Sequence, residues 1–282
     1  MNKPRAYRVF VYSCATFLFV FVAAPFLWMI VSSLALQRDL TTLPFVFPPP
    51  TITFDRYLDI FVRSGNPIAA AFKDATVNSL IVAFFVTLSS LVVGTLASYA
   101  FARLRFRGRK VLLFTLLFTY MVPSIVVILP LYTVMSALGL LDNRVTLIVL
   151  YLSLAVPFVV WVMQDYFGSI GQSFEEAALM DGCTRWQTLT RVYLPMSLPG
   201  LVATGILAFL LSWDEFFFSL VFTSTLEAKT IPVAIAEFSA KNTIDYGMIA
   251  TGGVIASLPP LLVTALFQKQ IVTGMTGGGV KE

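Results

Sequence analysis

The chain has 282 residues, of which 58% are hydrophobic and only 12% charged. A soluble domain carries about 25% charged residues, and one soluble core stops growing near ~250–300 residues, so this composition excludes a protein solvated by water alone. Histidine is absent and the formal net charge is only +4, which removes histidine metal sites and His-dependent nucleophiles and gives no footing for nucleic-acid binding.

Lys3, Arg5 and Arg8 precede a first apolar run that is far longer than the 7–15 residues of a signal-peptide core, so it predicts an uncleaved helix. Stretches free of Asp, Glu, Lys and Arg run 9–37, 75–102, 111–141, 145–164, 192–213 and 246–268, against the ~20 residues that cross a hydrocarbon core. In lipid the backbone must satisfy its own hydrogen bonds, so each stretch predicts a helix. The reading is one all-α transmembrane domain over 1–282, with helices at 9–36, 76–102, 111–138, 145–167, 199–222 and 246–268. The stretch 40–54 holds Pro44, Pro48, Pro49 and Pro50 and reads as a connection. Pro123, Pro130, Pro157 and the pair Pro259–Pro260 fall inside predicted helices, where each removes a donor and bends or breaks the helix. The short turn from Arg103 to Lys110 carries five basic residues, and short basic loops stay on the cytoplasmic side. Both termini are therefore expected inside. Cys14 and Cys183 stand in unrelated contexts and suggest neither a disulfide nor a zinc site.

The cytoplasmic loop 173–195 is the most informative segment. Ser173 to Gly182 reads as a short helix, with Ser173 as cap, Glu176 reaching back to it, and Gly182 as the stop. A second short helix, Arg185 to Leu194, precedes Pro195, and Ser197 is a candidate cap for the fifth span. The small residues Ala177, Ala178 and Gly182 allow close approach by a partner, the carboxylates can meet partner cations, and Trp186, Leu189 and Tyr193 can hold the loop against the helices.

The spacing Glu176-Ala177-Ala178, Gly182, Val192, Leu194-Pro195 resembles the "EAA" loop of membrane subunits in binding-protein-dependent ABC importers. That family prefers Ile where Val192 stands, and commonly proline where Gly171 stands. Arg56-Tyr57, Leu129-Pro130-Leu131-Tyr132, Leu138-Gly139-Leu140, Pro157-Phe158 and Trp213-Asp214-Glu215-Phe216 are similar to its carbohydrate-uptake branch, which includes the smaller permease of the maltose transporter. Many members carry Asn at the position of Asp214. The resemblance implies the type I permease fold, with the loop as the coupling helix that fits an ATPase subunit. Glu175, Glu176, Ala177, Ala178, Asp181, Gly182, Leu194 and Pro195 are its expected coupling residues, Glu176 pairing with a base on the ATPase. It also implies a tail, 269–282, that contacts the ATPases through Thr276, Gly277, Gly278, Gly279 and Lys281. Gly274 and Gly279 imitate the start of a phosphate loop, but Val280 stands where Lys is required, so ATP binds elsewhere.

Asp214 and Glu215 lie inside a predicted span, where ionisable groups are costly and usually face water or a helix interior. Two readings stand. Trp213, Asp214 and Glu215 line or gate a path for sugar hydroxyls, with Tyr120 and Tyr132 as further candidates, or they form an interfacial cluster bonded to a sister subunit.

By resemblance, the chain is a permease subunit of an ATP-driven importer for a sugar or oligosaccharide, in a bacterial or archaeal cytoplasmic (inner) membrane. It is expected to work beside a second related permease, two ATPase subunits holding ATP and Mg, and an extracytoplasmic solute-binding protein. It carries no catalytic group, metal or cofactor of its own. The alternatives are import of a polyamine, a glycerol-phosphate-type or other small solute, or, in a different class, ion-coupled secondary transport.

Overall fold

Helices make up nearly all of the computed structural model, which describes residues 5–42, 47–63, 67–240 and 244–277. In chain order they are α1 (Arg5–Leu34), α2 (Gln37–Thr41), α3 (Asp55–Phe61), α4 (Pro67–Arg103), α5 (Arg109–Met121), α6 (Ser124–Ala137), α7 (Arg144–Ser169) and α8 (Gln172–Met180). Then come α9 (Arg185–Thr188), which runs through a π turn at Leu189–Tyr193 into α10 (Leu194–Met196), followed by α11 (Leu198–Trp213), α12 (Phe217–Phe222), α13 (Ile231–Ala240) and α14 (Tyr246–Gly277). Among the described residues the β content is one antiparallel bridge between Ala35 and Ile52.

Four helices are long and apolar enough to cross a membrane: Tyr7–Leu34, Ala69–Arg103, Arg144–Ser169 and Tyr246–Gln270. They fall on the first, second, fourth and sixth apolar windows. The third and fifth windows are broken, which corrects the single helices drawn over 111–138 and 199–222. Between α5 and α6 the axis turns by 93°, because Pro123 forces Val122 into an extended conformation (φ −72°, ψ 121°). The fifth window ends its helix at Trp213 and resumes only at Phe217, and α11 is itself bent by 79° from the helical stretch before it. The other prolines break nothing: α6 and α7 continue through Pro130 and Pro157, and α14 loses helical geometry at Phe267 rather than at Pro259–Pro260. Residues 269–277, expected to form part of a tail, continue α14 instead.

The described chain falls into two compact units. One holds residues up to Lys73 together with Ala234–Leu258. Here Arg56 donates from Nη1 to the carbonyls of Ser33 (3.3 Å), in the last turn of α1, and Ala35 (2.6 Å), just past its end, and pairs with Asp245 at 3.5 Å. Asp245 in turn accepts from the Met248 N–H at 2.9 Å at the start of α14. One guanidinium thus closes a helix C-terminus and links it to a helix N-terminus, both of which leave backbone groups unmet. Gly247 lies so close to the Arg56 guanidinium that a β-carbon there would collide with it. In contrast, the most apolar window of α1 buries nothing within the protein; Phe10, Phe17, Phe19 and Phe21 all face outward, the pattern of a helix solvated by lipid.

The other unit holds Asp74–Val233 and the residues from Pro259 onward. α7 is its central element, packed on α4 where a β-carbon on Gly94 would stand 2.6 Å from Val159 Cγ1; small residues let membrane helices approach this closely. One core gathers Val82, Ile128, Leu150, Tyr151, Phe218 and Phe222, and a second gathers Tyr99, Val159, Met163, Phe167, Leu189 and Tyr193. The second core reaches from the long helices into the 172–196 segment.

Candidate functional site

The segment 172–196 is built as a braced knuckle. α8 is ended by Gly182 in the left-handed region (φ 81°), with Gly182 N–H donating to the Leu179 carbonyl at 3.1 Å and Cys183 N–H to the Ala178 carbonyl at 2.9 Å. This is a Schellman stop, which favours glycine because other residues pay for a positive φ. The start of α8 differs from the sequence reading. The helix begins one residue before Ser173, with Gly171 at the cap and no capping side chain, and Glu176 instead accepts from Gln172 Nε2 at 2.9 Å. The capping box lies at the next helix: Thr184 Oγ1 accepts from the Gln187 N–H at 3.2 Å, and Gln187 Oε1 accepts from the Thr184 N–H at 2.8 Å. Its Thr-x-x-Gln pattern was present in the sequence. Ser197, the other candidate cap, makes no capping bond, and its hydroxyl is buried without a partner among the described residues.

Beneath the knuckle, Glu175 is buried, accepting from the Arg185 guanidinium and, at 3.2 Å, from the Tyr193 hydroxyl. Burial pushes the Tyr193 hydroxyl up to about 12, with Glu175 adding to the rise and Arg103 opposing it, so it stays a donor at any physiological pH. Tyr193 sits edge-on to Tyr99 (5.3 Å) and Phe167 (5.8 Å), and the Arg103 guanidinium stands 5.0 Å above its ring. Arg103 also donates to the carbonyls of Phe167 and Ile170 at the end of α7, where cations suit the helix dipole. The sequence marked Arg103 only as one cation of a basic turn; its role depends on where α7 ends.

On the outer face, Phe174, Glu176, Ala177, Met180, Asp181, Gly182 and Pro195 are exposed, Met180 at 88%. Ala178 is buried and Leu194 half-buried. Trp186, expected to hold the loop against the helices, is 63% exposed and belongs to this outer surface; Leu189 and Tyr193 do the holding. α8 therefore divides cleanly: Glu175 and Ala178, three apart, face inward, and Phe174, Ala177 and Met180 face out, at the spacing of one helix face.

The second candidate region separates rather than unites its residues. Trp213 is buried and stacked on Phe209 at 5.6 Å. Glu215 is buried, its carboxylate accepting from the N–H of Phe218 (3.0 and 3.1 Å) and Ser219 (3.3 Å). It caps the first turn of α12, which explains why the helix stops and restarts here. Asp214 is exposed at the end of α11, its N–H donating to the Leu210 carbonyl at 3.0 Å and its carboxylate making no hydrogen bond or ion pair to another described residue. Tyr132 lies edge-on to Phe222 at 6.0 Å, and Tyr120 tilts toward Phe158 at 6.3 Å. A cavity of ≈ 860 Å³ opens at the α5–α6 bend, but none of these five residues lines it. Its wall is apolar except for Thr115, Thr119, Ser124 and Ser153, few partners for a polyhydroxylated solute. Of the tail residues, Thr276 and Gly277 close the backbone of α14, while Gly278, Gly279 and Lys281 lie outside the described residues.

Residues 90–277 match the family described as binding-protein-dependent transport system inner membrane component. The chain is 36% identical over 259 residues to a trehalose transport system permease protein of Mycobacterium tuberculosis, covering 91% of this chain and 92% of the relative. It is 34% identical to a trehalose/maltose transport system permease protein of Thermococcus litoralis, covering 91% of each. Among solved structures, a chain of a bacterial ABC transporter involved in import of the acidic polysaccharide alginate superposes with a TM-score of 0.72 at 25% identity, covering 95% of this chain and 99% of that one.

Proposed function

The chain belongs to the binding-protein-dependent transport system inner membrane components, and from that premise we propose that it is a permease subunit of an ATP-driven importer for a sugar or oligosaccharide. The substrate class rests on the trehalose and maltose permeases to which the chain is similar over nearly its whole length. ATP and Mg belong to a separate ATPase, present in two copies, and a second related permease and an extracytoplasmic solute-binding protein complete the assembly. The termini lie inside, as do the Arg103–Lys110 turn and the 172–196 segment. Residues of this turn and of that segment line one cleft, which supports their being on one side.

The single observation that carries the mechanism is the two-faced knuckle. Its outer side offers Glu176, Ala177, Met180, Asp181 and Gly182 to a partner, and its inner side is tied by Glu175, Arg185, Tyr193 and Arg103 to the end of α7. A push on the outer face therefore passes into the long helices without being absorbed by the loop. ATPase closure moves the knuckle and alternates access, Glu176 pairing with a base on the ATPase. Thr276, Gly277, Gly278, Gly279 and Lys281 reach the ATPases from the tail. Of the pathway candidates, Asp214 is the group whose carboxylate is free to meet a solute or sister subunit; Tyr120 and Tyr132 remain separate candidates for contacting the solute, and Trp213 and Glu215 fix the break that presents Asp214.

The test uses the Gly182→Asp variant in the intact assembly. It should insert and co-purify with its partners yet lose sugar-stimulated ATP hydrolysis and uptake together. Retained coupling would overturn the docking reading. Stimulation by a polyamine or a glycerol phosphate but by no sugar would overturn the substrate class, and uptake driven by an ion gradient without ATP would overturn the transport class.

A further inference from the structure

We propose that the cleft between the 104–110 turn and the 172–185 segment binds the phosphate of an anionic phospholipid. The cleft has a volume of ≈ 800 Å³ and is lined by Arg103, Arg105, Arg109 and Arg185 against Gln172, Glu175 and Glu176. Arg185 is paired with Glu175, and Arg103 is committed to the end of α7. Arg105 and Arg109 make no ion pair or side-chain hydrogen bond to another described residue, and the same holds for Arg107 and Lys110 beside them. Glu176, the lining carboxylate not paired with Arg185, meets only Gln172 among the described residues, so four guanidinium groups face two carboxylates across a polar hollow and Arg105 and Arg109 have no anion in contact.

The local helix makes the deficit worse. α5 begins at Arg109 with Gly108 as cap, no capping side chain and no acidic residue in its first turn. Arg109 and Lys110 therefore stand at the positive end of a helix dipole, where cations are disfavoured and anions stabilised. An arrangement this unfavourable for the isolated chain is relieved by an external anion. Lipid is the source the surroundings favour. The turn joins two apolar helices, so it sits at headgroup level, and basic pockets on this side suit anionic headgroups. Phe106, Val111, Leu112 and Phe114, all exposed, offer apolar surface for acyl chains directly beside the cations.

The cleft shares Glu176 with the proposed docking face, but its test reads lipid retention rather than ATPase coupling, so the two can fail separately. The intact assembly is extracted with native lipid and examined by native mass spectrometry, with titrated phosphatidylglycerol, phosphatidylcholine or inorganic phosphate. Phosphatidylglycerol should remain bound to the wild type, be lost about thirtyfold more readily from the R105Q/R109Q double variant, and be retained by R105K/R109K. R107Q, in the same turn but outside the cleft lining, should retain it and so controls for folding. Equal retention by the double glutamine variant, or equal binding of phosphatidylcholine, would overturn the proposal. So would displacement by inorganic phosphate at matched concentration, which marks a soluble-anion site, or absence of lipid with Arg105 and Arg109 cross-linking to ATPase carboxylates instead.

Discussion

Two regions of this chain carry adjacent carboxylates, Glu175-Glu176 in the knuckle and Asp214-Glu215 at the break after α11, and both resolve them the same way. One member is buried and consumed by the fold: Glu175 by Arg185 and Tyr193, Glu215 by the N–H groups of Phe218 and Ser219. The other is exposed, the Glu176 carboxylate held among the described residues only by Gln172 on its own helix and the Asp214 carboxylate by none of them. Successive side chains point in different directions, so one position can build while its neighbour meets a partner. The order is reversed between the two sites, so position within the pair does not tell which does which. The regions also differ: the knuckle is braced by side chains from α4, α7 and the π turn, the break by backbone donors of its own next turn.

The comparison can be broken by mutation. Glu215→Ala should be the most damaging change, stranding buried N–H groups of α12 at a cost on the order of 3 kcal/mol. Thermal melts of the assembled complex and its yield would show it. Unchanged melting would mean the carboxylate is not the cap. Glu175→Ala should cost less, about 1–2 kcal/mol, because Arg185 is half-exposed and can turn to water. Its signature is insertion and assembly with weakened substrate-stimulated ATP hydrolysis.

A smaller effect is expected at Asp142, in the connection before α7. It adopts φ 60° and accepts from the N–H of Ser224 (2.9 Å) and Thr225 (3.0 Å). Burial pushes its carboxyl upward, but these backbone donors outweigh it and hold the group below the usual carboxylate range. Its contribution is therefore fully present above the unfolded value near ~3.9 and is lost as pH falls through the folded one. The difference in melting temperature between wild type and Asp142→Asn, which tolerates the same backbone, should shrink as pH is lowered toward that range. A constant difference would contradict the assignment. Least of all should stability respond to Glu176→Gln and Asp214→Asn, both within about 0.5 kcal/mol. Their effects should appear in ATPase coupling and in transport respectively. A large loss of stability from either would erase the distinction between building and working carboxylates.

Much of this was legible in the residues. Charge-free windows located the long helices because lipid leaves the backbone no other partner, and Gly182 declared itself a helix stop before a second short helix. The Ser173 cap failed because α8 starts at Gln172, which places Ser173 inside the first turn. Competing local signals decide such ends by a residue or two. Proline content alone did not say which helices break: Pro123 does so, while Pro130, Pro157 and Pro259–Pro260 ride inside helices. The bracing of Glu175 was illegible, since Tyr193 and Arg185 reach it only through the fold, and so was the outward turn of Trp186.

The central claim is that the outer face of α8 seats in a neighbouring motor subunit. The most direct measurement places one cysteine at Met180, the most exposed large hydrophobic residue of that helix, in a chain with Cys14 and Cys183 replaced by serine, and follows its labelling and cross-linking in the intact assembly. Seating predicts that Met180→Cys cross-links to the ATPase and is shielded from a soluble thiol reagent, more so with ATP bound. Free labelling at the rate of an open surface, with no cross-link in any nucleotide state, would contradict it.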